Sequence, residues 1–126
     1  AQEEDVKQCF LDNIRDSGIS NQIQHQTGDS VKVAQSWCHG KVDMIFIDAN
    51  HTYESTKADI EAWLPWLMDD GVMIGHDFNT ENFKGVNKAV HDIFGESAKE
   101  YGNDQPYGNF WVYENQTVRE RADSAK

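Results

Sequence analysis

Val6, Cys9, Phe10 and Ile14 recur three or four positions apart, the spacing that gathers side chains on one stripe of a helix. Ser17-Gly18 supplies a stop, so residues 3–17 are predicted to be an amphipathic helix, with Cys9 a buried small hydrophobe on its inner side. A short strand is expected at Ile23-Gln24-His25-Gln26-Thr27, then a turn at Gly28-Asp29-Ser30. Ser30 is suited to cap a helix reaching about Trp37, with Val31, Ala34 and Trp37 inward.

Beyond Gly40 the pattern changes. Val42-Asp43-Met44-Ile45-Phe46-Ile47-Asp48 is apolar at nearly every position, as in a strand buried on both faces of a parallel sheet. Tyr53, Ile60, Trp63, Leu64 and Leu67 return to helical intervals over about 53–68, with Pro65 placed to kink or divide the helix. Asp69-Asp70-Gly71 turns the chain into a second apolar strand at 72–76. A helix follows at about 84–94, with Val86, Ala89, Val90, Ile93 and Phe94 as its buried stripe. Ala98 to Tyr101 and Phe110 to Tyr113 flank a Gly/Asn/Asp/Pro cluster and read as an antiparallel hairpin. Residues 115–126 are polar and read as a loose tail. The order α-β-α-β-α-β-α-β-β predicts a single α/β domain over residues 1–114, its sheet mostly parallel and closed by an antiparallel hairpin.

Composition narrows the partners. Of 126 residues, 22 are acidic and 11 basic, a net charge of −11. A nucleic-acid or anionic-membrane partner needs a basic face, so neither is expected. No apolar run approaches membrane length, and the acidic start, Ala1-Gln2-Glu3-Glu4-Asp5, is unlike a signal peptide. Cys9 and Cys38 show no CxxC or metal-finger spacing. A cytoplasmic, reducing setting is the default expectation.

Both apolar strands end in groups able to do chemistry. The first runs into Asp48, Asn50 and His51, the second into His76-Asp77. Ligands in parallel α/β sheets sit outside the carboxyl ends of the strands. Two carboxylates and two imidazoles would therefore share one rim. Each has a bland reading beside the functional one. Asp48 could cap the following helix, His51 could be a satisfied helix-start histidine, and Asp29 could only form its turn. Glu54 reads as a first-turn helix acid, and Trp63, Trp66 and Trp111 as core or interface. His25, His39 and His91 read as surface or structural.

Ile47-Asp48-Ala49-Asn50-His51-Thr52-Tyr53-Glu54, Ala58-Asp59, Trp63-Leu64-Pro65, Asp70-Gly71-Val72 and Gly75-His76-Asp77-Phe78 together resemble the class I S-adenosylmethionine-dependent methyltransferases, in particular metal-dependent small-molecule O-methyltransferases of the macrocin and catechol type. The resemblance spans roughly residues 1–114. It implies methyl transfer to a hydroxyl of a sugar or small oxygenated metabolite. It makes Asp48 and Asp77 ligands of Mg²⁺ or another divalent cation, with His76 a third ligand or a group orienting Asp77, and gives His51 the place of a general base. It sets Gly28, Asp29, Ser30 and Asp48 beside the S-adenosylmethionine cofactor.

The family's domain opens with a strand and a Gly-rich turn, then a second strand ending in a ribose-binding acid. Neither has a counterpart here, and the first helix resembles the one after that second strand. The chain thus corresponds to the C-terminal two-thirds of such a domain. The strand at 42–48 would lose its neighbour, so a homodimer joined through that edge, or by exchanged elements, is expected. Two further readings are a truncated, non-catalytic binding or assembly module and a metal-dependent hydrolase built on Asp48, His51, His76 and Asp77.

Overall fold

The computed structural model describes residues 2–48, 50–78, 84–102 and 109–115. Helices α1 (Gln2–Ser17) and α2 (Ser30–Gln35) are followed by strand β1 (Val42–Ile47), helix α3 (Tyr53–Trp63), strand β2 (Leu67–Phe78), helix α4 (Lys84–Phe94) and strands β3 (Ala98–Tyr101) and β4 (Asn109–Glu114). The strands form one sheet in the order β1-β2-β4-β3. β1 runs parallel to β2, joined through α3, whereas β4 is antiparallel to both β2 and β3. The α/β class and the C-terminal hairpin are as the sequence predicts. The parallel part of the described sheet is the β1–β2 pair.

Pro65 divides the expected 53–68 helix. α3 stops at Trp63, a 3-10 turn carries Leu64–Trp66, and the chain extends from Leu67. The ring cannot continue an α-helix but fits the start of a new turn. Asp70 then takes a left-handed conformation (φ 65°), one that a short polar side chain tolerates.

One face of the sheet carries the core. Ile60 of α3 and Val86, Val90 and Phe94 of α4 pack against Leu67, Met73 and Phe78 of β2 and Trp111 of β4. Phe94 also stacks on Tyr113, centroids 4.1 Å apart. Gly75 makes this packing possible, because a Cβ there would lie 2.0 Å from Trp111 Nε1. The indole crosses β2 only where there is no side chain. Between α3 and α4, Tyr53 Oη donates to Asp92 Oδ2 at 2.6 Å, and the Lys88 ammonium lies 4.1 Å from the centroid of the Tyr53 ring. That hydrogen bond holds the Asp92 carboxyl below its ordinary pKa.

Five expectations need correction. β1 is not buried on both faces, since Met44 is 60% and Phe46 50% exposed. No strand forms at 23–27. Ile23 has extended backbone, yet no described segment lies alongside to share a ladder, and a strand without a partner leaves its polar groups to water. Cys9 is exposed, not buried, because α1 packs chiefly on its own neighbouring 3-10 turn at Ser20–Gln22. Val6 on the same stripe is 70% exposed. Asp29, not Ser30, caps α2, accepting from Lys32 N at 3.1 Å. Asn115, placed at the start of the loose tail, is buried and tied down. Its amide nitrogen donates to Gly71 O at 2.8 Å and its side-chain Nδ2 to Met68 O at 3.0 Å. The rest of the tail, 116–126, lies outside the described residues, as does the cluster at 103–108.

Gly75→Ala is the sharpest test of this core. Overpacking of this kind costs about 1–3 kcal/mol, so urea denaturation should show a lower midpoint with an unchanged slope. An unaltered midpoint would mean that Trp111 does not cross β2 at Gly75.

Candidate metal and methyl-transfer site

The site starts from register. Ile47 pairs with Gly75 in the parallel ladder, so Asp48, one residue past β1, comes level with His76 and Asp77 at the end of β2. The turn that follows β1 is built by side chains. Asn50 Oδ1 accepts from Thr52 N at 3.1 Å, and Thr52 Oγ1 accepts from Ser55 N at 3.2 Å as the cap of α3. Thr56, buried, donates to Asn50 O at 3.3 Å. Helix capping therefore belongs to Thr52, and Asp48 is not spent on it. His51 is held at the head of α3, facing β2.

Asp77 is set by a backbone irregularity. The β2–β4 register shifts between Gly75 and Phe78, and Asp77 has φ 61°. A bulge of this kind re-aims one side chain without ending the strand. From Gly71 the odd positions of β2 are the buried ones, Asp77 included, and the alternation breaks only at Phe78, which is buried as well. The buried carboxylate lies between two imidazoles, with His51 Nε2 2.5 Å from Oδ2 and His76 Nδ1 3.1 Å from Oδ1.

Asp48, His51 and Asp77 each offer one ligand atom, all within 4.8 Å of one another. Asp48 is the exposed member of the trio, and Asp77 the buried one. Two carboxylates and one imidazole suit a hard or borderline divalent cation. His76, expected as a possible third ligand, is not part of this trio. It contacts Asp77 from the other side and stacks near Phe110, centroids 4.8 Å apart.

The floor of the site was not legible in the sequence. A crevice of about 10 Å³ between Asp48, His51 and His76 is also lined by Trp111, which the sequence places in the core or an interface. That volume admits about one water or one ion.

The expected cofactor residues have a different setting. Asp29 is occupied as a helix cap, and Ser30 Oγ accepts from Trp63 Nε1 at 2.8 Å. Ser30 also hydrogen-bonds Asp59, a buried acid of α3 whose carboxyl is pushed above its ordinary pKa by burial, the Ser30 bond pulling partly back. Beside them, a cavity of about 370 Å³ runs along β1 between Trp37 and Trp63 and ends at Asp48. Its apolar walls and polar end fit a purine-sized group.

Asp59 carries a pH prediction. Its folded pKa lies above the unfolded value of 3.8, so the fold favours its protonated form and stability falls as pH rises through the folded pKa. Asp59→Asn should therefore be more stable than the parent at pH 7 in thermal melts, with the gain vanishing as pH is brought below 3.8. A loss of stability at pH 7 would show the carboxylate to be favourably held.

Residues 2–78 match the sequence model of the "Methyltransferase domain" family. A comparison with curated protein sequences found no match. Among solved structures, a putative O-methyltransferase from Klebsiella pneumoniae superposes with a TM-score of 0.70 at 16% identity over 88% of this chain. An O-methyltransferase from Bacillus cereus in complex with SAH gives 0.61 at 19% over 80%. A TDP-rhamnose 3'-O-methyltransferase of calicheamicin biosynthesis gives 0.53 at 20% over 66%. The chain spans 57%, 54% and 38% of those structures. With its β1–β2 rim inside the matched segment and its sheet shared with O-methyltransferase structures, the chain belongs to the methyltransferase-domain family.

Proposed function

We propose that this chain provides the metal- and acceptor-binding part of an S-adenosylmethionine-dependent O-methyltransferase acting on a hydroxyl of a sugar or small oxygenated metabolite. The observation that carries the reading is the convergence of Asp48, His51 and Asp77 at one sheet rim, above Trp111. Family membership supports methyl transfer, and similarity to a sugar O-methyltransferase agrees with an oxygen acceptor.

In this reading Asp48 and Asp77 hold a divalent cation, which when bound would lower the acceptor hydroxyl's pKa. Asp77 also orients the His51 ring through the Nε2 contact. His51 takes the acceptor's proton as its oxygen bonds to the methyl carbon and the carbon–sulfur bond of the sulfonium breaks, leaving a neutral thioether. His76 fixes the second oxygen of Asp77, so the carboxylate cannot swing away. Asp48 and the Ser30–Asp59 end of the β1 cavity take the purine and ribose side of the cofactor.

A second reading is favoured by the structural use of Asp29 and Ser30. In it, the chain is a binding or assembly module of the same family without turnover of its own. Calorimetry separates the two. The first reading expects S-adenosylmethionine to bind this chain more weakly than micromolar but measurably, with SAH competing. No binding in the presence of Mn²⁺ leaves the module reading standing.

The metal roles have their own test. Asp48→Ala should abolish Mn²⁺ binding with the fold intact, since Asp48 is exposed at a strand end. His51→Gln should keep Mn²⁺ within about threefold while removing methyl transfer, the mark of a base. Loss of both in His51→Gln would make His51 a ligand, and undiminished binding in Asp48→Ala would sink the site.

A further inference from the structure

Gly85 is a glycine that the backbone does not require. It lies in the first turn of α4 without a positive φ, and alanine is the better helix former at such a position. Its reason is contact. A Cβ on Gly85 would lie 2.5 Å from Tyr53 N, 3.1 Å from Tyr53 Cα and 3.2 Å from Thr52 C, all of them backbone atoms at the start of α3. Two helix starts therefore meet main chain to main chain, and no side chain can turn aside to make room. Tyr53 extends the contact along α4. Its hydroxyl reaches Asp92, about 10 Å further along the helix than Gly85, and the Lys88 ammonium covers its ring from 4.1 Å. Lys88 also pairs with Asp92 at 3.6 Å, so the brace is tied on α4 itself.

The start of α3 is also where the site is built. Thr52 caps the helix, and His51, the residue before it, meets Asp77 with Nε2 2.5 Å from Oδ2. Val86, next to Gly85, lines the same crevice as His51. We infer that Gly85 is a positioning residue of the site. Its bare contact with the main chain of Thr52 and Tyr53 sets the distance of His51 from Asp77, and the Tyr53–Asp92 hydrogen bond keeps α3 from tilting out of that contact. The inference rests on the reading of His51 as the base. Geometry gives the size of the effect. Ordinary contact begins at about 3.4 Å, so Gly85→Ala must part the two main chains by roughly 0.9 Å, which is 3.4 less 2.5. The turn before α3 is cross-linked by Thr52 N to Asn50 Oδ1 and by Thr56 Oγ1 to Asn50 O, so it moves as one piece with the helix it starts. Asp77 belongs to β2, held by ladders on both edges, and does not follow. A misplacement near 1 Å is enough to slow a reaction about a hundredfold.

Histidine-ring NMR tests this on the chain as it stands and needs no turnover. In proton–nitrogen spectra of the imidazoles at one pH, Gly85→Ala should move the ring signals of His51 and leave those of His25 and His39, on other elements, in place. Tyr53→Phe deletes one hydroxyl and spares the fold, and should move His51 in the same sense by less. Lys84→Ala, at the exposed neighbouring position, should move none of them. Mn²⁺ affinity should stay within threefold in Gly85→Ala, because both carboxylates keep their places. Ring signals report where His51 sits and not what it does, so they test the inference apart from methyl transfer by His51→Gln, which tests the base. His51 signals unmoved in Gly85→Ala or in Tyr53→Phe, or moved as far by Lys84→Ala, would overturn the inference. So would a Gly85→Ala variant in which all five histidines shift and Mn²⁺ binding is lost, since Gly85 would then serve the fold as a whole.

Discussion

The rim depends on β2 being hydrogen-bonded along both edges. β1 on one side fixes Asp48 opposite the last residues of β2, and β4 on the other carries the register shift within which Asp77 sits. Trp111 ties the ladders to the core, because its indole can lie against β2 only at Gly75, directly before the His76-Asp77 pair. The same contact that fills the core thus forms the base of the site, so stability and chemistry are coupled through one glycine.

Asp77 shows how the fold prepares a group for function. A non-glycine residue at φ 61° is unfavourable in isolation, and it persists where surrounding contacts over-determine it. Here those contacts are the two imidazoles on its two oxygens and the bulged ladder behind it. A carboxylate clamped this way has little rotational freedom left to lose when an ion arrives. Asp48, by contrast, is exposed.

Much of this was readable from residues. The run from Val42 to Ile47, the short apolar strand after Gly71 and the abrupt switch to Asp, Asn and His located both strands and the rim, although β1 is buried on neither face among the described residues. The stripe of α4 and the break at Pro65 were equally plain. What escaped was whatever depends on a partner distant in sequence. Residues 23–27 have strand composition, but a ladder needs a neighbour that local pattern cannot supply. Cys9 lies on an apolar stripe, yet α1 has no described face to pack on. The choice between Asp29 and Ser30 as cap was one residue wide, and Ser30 proved to be taken by Trp63 and Asp59. The left-handed backbone of Asp77 and the role of Trp111 as floor come with the β2–β4 register, which no window of sequence displays.

The account stands or falls on a divalent cation at the rim, and a chain with net charge −11 could also collect cations indiscriminately. Paramagnetic broadening of amide resonances by substoichiometric Mn²⁺ separates the two cases in one titration. The account predicts that His51, His76 and Asp77 broaden first and that the acidic helix α1 is spared. Broadening that begins along α1, or that spreads evenly over the acidic surface, would contradict it.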